Sequence, residues 1–455
     1  MKKRAICLFL SALMLLSLAA CGEKAEELPE ETAPAEETVP ESSEPEEEAK
    51  DPPPMILEGR LTEMPSYVLS EGATADEMRQ TAIRAMRDGL SFPWYPEETI
   101  KYFKAGPGSG EAYEFDSDQI YCGLPYTLGD SSLLHWLQYY DFESGRFENS
   151  EISNINNKLG NACATSIMWA WNAVCNDQQW DECRYMTPQN GCIPVAGYEY
   201  PEEITTYRDT STTKICNANS AQQMYAAYAN VLPADAIFQY DDSTNKDHVV
   251  MAMDVPHVEY NDDGSINGKA SYIPIMDQRY GSASGSNYQY DKTVDGVTYH
   301  SSGRIDFHFT FEALRQGGFI PVTCAQFMGE KPYEKATAAL EADVSSFDEL
   351  AQTKLRSNYN IVTIRVTVSD PKTGKTLGEH NYVRFFSAYL KSANKDKDKE
   401  YSLTYDFSNQ NKTDPFLTGK DLVGNLSKGS DYRVKIDTLV ASGETINVLD
   451  KVLTY

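Results

Sequence analysis

Apolar residues recur at helical spacing over residues 74–89: Met78, Ile83, Met86 and Leu90 share one side, while Arg79, Arg84 and Arg87 fall among the polar positions. A Pro/Gly-rich stretch follows at 91–110 and reads as loop. The long apolar run 162–174 predicts a buried helix. Residues 248–255 and 271–277 read as strands, separated by the strong turn signal Asn261-Asp262-Asp263-Gly264. Residues 281–286 and 291–303, rich in Gly, Ser and Tyr, read as loop or hairpin tips.

The pattern changes after about residue 335. Val362, Ile364, Val366 and Val368 alternate with Thr363, Arg365, Thr367 and Ser369 before a turn at Asp370-Pro371-Lys372-Thr373-Gly374. Tyr432, Val434 and Ile436 alternate in the same way, and a Ser442-Gly443 turn follows. Period two with turn breaks predicts antiparallel β structure, most simply a small β-sandwich over 334–455. Residues 334–342 read as a short helical connector, and no internal repeat is present. The fold class expected is therefore α+β, a mixed domain over 55–333 followed by the sandwich.

The first 54 residues carry no such pattern. Lys2, Lys3 and Arg4 precede an uncharged apolar run over 5–18, too short and too N-terminal for a stable spanning helix. It ends Leu18-Ala19-Ala20-Cys21-Gly22, which resembles the lipobox of bacterial lipoproteins, where the chain is cut before the Cys and the thiol is lipidated. The resemblance implies a signal peptide over 1–20, a lipid on Cys21 and an extracytoplasmic, membrane-anchored protein. Residues 22–51 hold thirteen acids and two lysines with almost no large apolar side chain, the composition of a disordered tether over 21–54.

Composition sharpens this. The 455 residues carry a formal net charge of −28, which excludes nucleic acid or an anionic membrane surface as a partner held mainly by electrostatics. The tether alone contributes −11, so the folded part is only moderately acidic. Nothing in the sequence bears on oligomeric state.

Of nine cysteines, Cys7 leaves with the signal and Cys21 takes the lipid. Cys122, Cys163, Cys175, Cys183, Cys192, Cys216 and Cys324 remain. Seven is odd, so at least one thiol is unpaired or links two chains, six admit fifteen pairings, and all seven could equally be free thiols. No Cys-x-x-Cys spacing or nearby His suggests zinc, so neither a metal nor a cofactor is expected. A nucleophilic Cys needs its thiolate near neutral pH, which a helix N-terminus and an imidazole supply together. Cys163 meets the first condition: it follows Gly160-Asn161-Ala162, with Asn161 as expected cap, and leads the apolar helix. Cys175 stands at the wrong end of that helix, and Cys183, Cys192 and Cys216 fall in loop-like sequence. From its own neighbourhood, Cys163 is equally a small buried hydrophobe.

Of the six histidines, His248 opens a predicted core strand, where a base is held on a rigid element. The next strand ends Met276-Asp277-Gln278, and either Asp277 or Gln278 is placed to accept the imidazole N–H. His257 follows Pro256 at the strand end, His308 alternates with Phe307 and Phe309, and His380 belongs to the β region.

With these residues in order, Tyr121-Cys122-Gly123-Leu124-Pro125-Tyr126 upstream of Cys163 resembles the Gly-x-Pro-Tyr segment of NlpC-type cell-wall peptidases, members of the papain-like cysteine peptidase superfamily. The likeness spans roughly residues 75–330 as four short motifs. It implies a papain-like fold, with Cys163 as nucleophile, His248 as acid/base, Asp277 or Gln278 as its orienter, and Tyr126 beside the oxyanion. The implied reaction is hydrolysis of an amide in peptidoglycan stem peptides or another envelope peptide. Departures are plain: Ala162-Cys163-Ala164 replaces the family's Asp-Cys-Ser, and the domain is long, with extra sequence at 180–220 and 280–299. Three other readings stand beside it: a transglutaminase-like enzyme, a non-catalytic surface binding module on the same fold, and a lipoprotein scaffold or ligand receptor with no chemistry.

Overall fold

The computed structural model describes residues 59–103, 112–127, 129, 131–148, 159–178, 180–201, 204–208, 210–244, 246–279, 290–383, 403–406 and 420–455. The signal, Cys21, the acidic stretch and residues 281–286 lie outside the described residues. The fold is mixed α+β.

Helix α1 (Ala75–Ser91) begins at a capping box, in which the Thr74 hydroxyl accepts from the Glu77 N–H and the Glu77 carboxylate accepts from Thr74. It buries the expected Met78, Ile83, Met86 and Leu90, but also Arg79. That side chain is 5 % exposed and pairs with buried Asp235 at 2.7 Å. Arg79 is thus part of the packed face, contrary to its reading as a polar position.

The sheet that organises the first region has six strands: β1 (Ile193–Pro194), β2 (Ala236–Asp241), β3 (Lys246–Ala252), β4 (Tyr272–Gln278), β5 (Gly303–Thr310) and β6 (Ile320–Thr323). Their order is β5-β4-β3-β2-β6-β1, and every neighbouring pair is antiparallel. Helix α2 (Cys163–Asn172) packs against β3, β4 and α1, and all ten of its residues are buried. Its apolar surface all round is why: such a helix has no side suited to water.

A second sheet joins Lys292–Val294, Val297–Ser301, Ile120–Cys122, Pro93–Pro96 and Arg146–Phe147 in that order. Trp94, Tyr121, Trp136 and Phe147 form its aromatic core, with Trp136 stacked on Phe147 at 3.9 Å between ring centroids. The loop expected over 91–110 therefore contains two strands, Pro93–Pro96 and Ile100–Phe103. Trp94 and Ile100 of these strands join an aromatic core that no local signal reveals. The 291–303 stretch, read as loop or hairpin tip, holds the hairpin of Lys292–Val294 and Val297–Ser301.

The C-terminal region holds a three-stranded sheet, Ala338–Leu340, Lys354–Ser357 and Leu403–Asp406, and a four-stranded one. The latter runs Thr376–Val383, Ile361–Ser369, Asp431–Val440, Thr445–Thr454, all antiparallel. Leu355 of the first shares a core with Ile364, Val366, Val434 and Ile436 of the second. Val362 and Leu439 pack on Tyr67, Leu134 and Ala173, which ties this region to the first. Residues 334–342 do not form the expected helix. Their apolar residues Ala338 and Leu340 extend as a strand against Leu355–Ser357, because strand pairing outcompetes a weak local preference.

Candidate active site

Cys163 is placed by the chain on both sides of it. Tyr126 and Asn161 form a parallel bridge, in which the Asn161 N–H donates to the Pro125 carbonyl at 3.2 Å and the Thr127 N–H to the Asn161 carbonyl at 3.1 Å. Gly160 adopts φ +85°, and a Cβ there would stand 2.6 Å from the Pro125 oxygen, so glycine is required for this close approach. Asn161, used in the bridge, is not the cap. Ala162 is the N-cap residue, and the Thr165 hydroxyl accepts from its N–H at 2.8 Å. The bridge brings the Tyr126 hydroxyl to 3.8 Å from the Cys163 sulfur, to which it donates.

Strand register brings the other two groups. Ala252 on β3 pairs with Ile275 on β4. With a period of two, His248 shares the Ala252 face and Asp277 shares the Ile275 face, so both project to the same side as diagonal neighbours. His248 Nε2 lies 2.8 Å from Asp277 Oδ1, which leaves Nδ1 for Cys163. His248 lowers the Cys163 thiol and Cys163 raises His248, so the two side chains act on each other. Gln278, one residue on, falls on the opposite side. Its amide donates to the Leu124 carbonyl at 2.9 Å and it does not meet His248. Gln278 and Asn161 border a cavity of about 30 Å³ behind α2, each with one buried oxygen that has no hydrogen-bond partner.

Four further residues complete the site. Arg304 pairs with Asp277 across β5 and β4 and donates to Asp277 Oδ2 through Nη2 at 2.9 Å and Nε at 3.2 Å. The Tyr290 hydroxyl donates to the same oxygen at 3.3 Å, and the Arg304 guanidinium lies over the Tyr290 ring. Cys183, in a 3₁₀ turn (Cys183–Tyr185) packed on β2 and β3, is raised by burial and then by its neighbours Cys163 and Asp247. Asp247 was adjacent to His248 in plain view. Arg304, Tyr290 and Cys183 carried no local signal, because strand pairing and a turn 20 residues downstream of Cys163 bring them in.

The charges are coupled. The Cys183 thiol donating to it, the His248 imidazolium and the Val249 N–H hold the Cys163 thiol well below its ordinary 9.0, against the cost of burial. Burial alone would lower His248, but its bonds to Asp277 and Cys163 push it up to about 10. Asp277 is fully buried, yet His248 and Arg304 keep its carboxyl below the usual range. Burial and the neighbouring Cys163 charge push the Tyr126 hydroxyl far up, so it keeps its proton and donates. Asp247 keeps solvent contact, yet desolvation of its carboxylate, and then the Cys163 charge, push it up to about 6. Both shifts run in the direction that favours a thiolate beside an imidazolium. Burial pushes the other resolved thiols upward, Cys122 to about 11 and Cys216 to about 12. All seven are free thiols.

The remaining histidines stand elsewhere. His257 stacks on Tyr272 and meets Glu259, and His308 lies against Tyr272 and Phe307. Among the described residues no group of His, Cys, Asp and Glu side chains is arranged to hold a metal ion, and no helix is long and apolar enough to cross a membrane. No protein-family model, curated protein or solved structure matches the chain.

Proposed function

We propose that this chain is a lipid-anchored cell-envelope cysteine hydrolase of the NlpC type in the papain-like superfamily. It cleaves an amide bond in peptidoglycan stem peptides or another surface peptide. The observation that carries this reading is the His248–Asp277 pair at 2.8 Å, with Cys163 at the first residue of a helix and its thiol lowered by His248.

The chemistry follows from that order. The Cys163 thiolate attacks the amide carbonyl, and the developing oxyanion is met by the N–H groups that open α2 and by the Tyr126 hydroxyl. His248 already carries the proton, which it gives to the leaving amine as the thioester forms. It then takes a proton from the water that hydrolyses the thioester. Asp277 keeps the ring turned toward the sulfur, and Arg304 and Tyr290 hold Asp277. The scheme calls for no metal or cofactor. The two C-terminal sheets and their shared core support a β-sandwich that serves as an accessory module. With a moderately acidic folded part, its grip on anionic wall polymers comes from shape and aromatic contact.

The binding-module reading has one observation in its favour: Cys163 is only 4 % exposed. Iodoacetamide at neutral pH separates the two. The hydrolase reading expects Cys163 to label far faster than the other six thiols, and wild-type protein, but not Cys163→Ala, to release fragments from purified peptidoglycan or its stem peptides. Equal labelling and uncut substrate would sink it.

A further inference from the structure

The far end of α2 carries a thiol pair that amide hydrolysis does not use. Cys175 and Cys324 lie 149 positions apart in the chain, yet their sulfurs stand 3.7 Å from each other. Both residues are buried, at 1 % and 0 % exposure. Cys175 continues the winding of α2, since its N–H donates to the Trp171 carbonyl at 2.7 Å. Cys324 directly follows β6, and its carbonyl accepts from the Met328 N–H at 3.1 Å. Tyr359, from the C-terminal region, reaches the same place: its hydroxyl lies 3.2 Å from the Val174 carbonyl and 2.9 Å from that of Glu334. Three parts of the chain meet at this pair.

We propose that Cys175 and Cys324 are a cross-linking pair, oxidised by an external disulfide to a bond that fastens the tail of α2 to the end of β6. A disulfide holds its sulfurs at about 2.05 Å, so these two must close by about 1.7 Å, within the swing of two Cα–Cβ torsions. Burial pushes the Cys175 thiol well above its ordinary 9.0, so exchange belongs to moments when this part of the core is open, in folding or local unfolding. One cysteine then loses its proton to solvent and attacks a sulfur of the external disulfide. That S–S bond breaks, a mixed disulfide forms, and the leaving sulfur takes a proton to depart as a thiol. The second cysteine loses its proton and attacks the first, the mixed S–S bond breaks, and a second thiol leaves. The external disulfide is reduced to two thiols, and the two cysteines give up two electrons and two protons. An extracytoplasmic chain is one in which such a bond persists. Ten residues of helix, about 15 Å, separate the pair from Cys163, so the nucleophile stays free. The inference stands on the sulfur contact and does not depend on amide hydrolysis.

The competitor is Cys192, which precedes Ile193, the partner of Thr323 in the β1–β6 ladder. In the test, the reduced full chain is held at neutral pH in oxidised and reduced glutathione, with urea just below its unfolding midpoint so that the core opens. It is then returned to buffer, alkylated with iodoacetamide and mapped by peptides. The expected product links Cys175 to Cys324 and lacks two hydrogens. It also unfolds at a higher urea concentration than the reduced chain, because the link closes a long loop in the unfolded state. In Cys175→Ala, Cys324 should be alkylated and the gain from oxidation lost. The wild-type map decides the matter even if that variant does not fold. Alkylation of both Cys175 and Cys324, a Cys192–Cys324 link in place of the expected one, or the expected link with no rise in the urea midpoint overturns the proposal. Each of these outcomes leaves the hydrolase reading to the labelling of Cys163.

Discussion

Asp235 and Asp277 are both buried carboxylates that meet an arginine, and they end in opposite electrostatic states. Asp235 pairs with Arg79 at 2.7 Å and accepts from the Leu232 N–H at 2.8 Å. Arg79 spends its other donors on the Pro233 and Phe327 carbonyls and on Thr323. Burial is the largest influence on Asp235 and leaves its carboxyl above the usual range. Burial is also the largest influence on Asp277, but two cations oppose it, His248 on one oxygen and Arg304 on the other, and its carboxyl falls below that range. One closed pair fastens α1 to the sheet. The other, a three-member chain, ends on a sulfur. A second cation on the carboxylate converts a fastening into a device that holds a proton on His248.

The largest effect should come from cutting the chain at its middle. His248→Ala returns the Cys163 thiol toward its ordinary 9.0, so iodoacetamide labelling at pH 7 falls about 100-fold. Hydrolysis falls by about 10²–10⁴ through loss of the acid/base. Arg79→Met breaks the other region. An uncompensated buried Asp235 costs about 3–5 kcal/mol of stability, read as a lower urea midpoint, while the labelling rate of the folded fraction stays put. If Arg79→Met slows labelling as much as His248→Ala does, the two regions are not separable and the comparison fails.

Arg304→Met sharpens it. Asp277 then faces burial with one cation, the His248 proton is held less firmly, and labelling falls by roughly tenfold, or about 1.4 kcal/mol. The alkaline limit of the hydrolysis profile should move below the position set by a His248 pKa of about 10. An unchanged alkaline limit would show that Arg304 merely packs.

The smallest effect is in stability against pH. His248, with its pKa raised from 6.5, favours the fold below 6.5 and loses that contribution as pH rises through about 10. Cys163, with its pKa lowered from 9.0, favours the fold above 9.0 and loses that contribution as pH falls. Between 6.5 and 9.0, where Cys163 has lost its proton and His248 keeps its own, the folded pair and the unfolded chain each hold one proton, so the pair contributes no slope. In Cys163→Ala, His248 alone remains, and stability should fall from about pH 6.5 upward by at most about 1.4 kcal/mol per pH unit. Parallel urea titrations of the two proteins across that range measure the difference; identical slopes would mean that Cys163 carries a proton at neutral pH.

Periodicity made parts of this arrangement legible. Helical spacing marked α1, a long apolar run marked α2, alternation marked Ile361–Ser369 and Asp431–Val440, and the turn signal at 261–264 separated β3 from β4. Where the reading slipped, the cause was distant packing. Arg79 sits on the buried side because Asp235, 156 residues away, receives it. Pro93–Pro96 is a strand because Ile120–Cys122 and Arg146–Phe147 flank it. Asn161 does not cap α2 because Pro125 and Thr127 claim its backbone.

By itself, the sequence determined which residue types stood where chemistry was possible: a Cys at a helix start, a His on a strand, and two neighbouring acceptors, Asp277 and Gln278. These follow from local pattern, since a helix dipole and a strand period act over a few residues. Only the tertiary structure decided between Asp277 and Gln278, because adjacent strand residues point to opposite sides and the β3–β4 register selects the one facing His248. It also brought Arg304 onto Asp277 and the Cys183 turn onto β2 and β3. Register and turn packing depend on the whole core, and no stretch of chain shorter than the sheet carries that information.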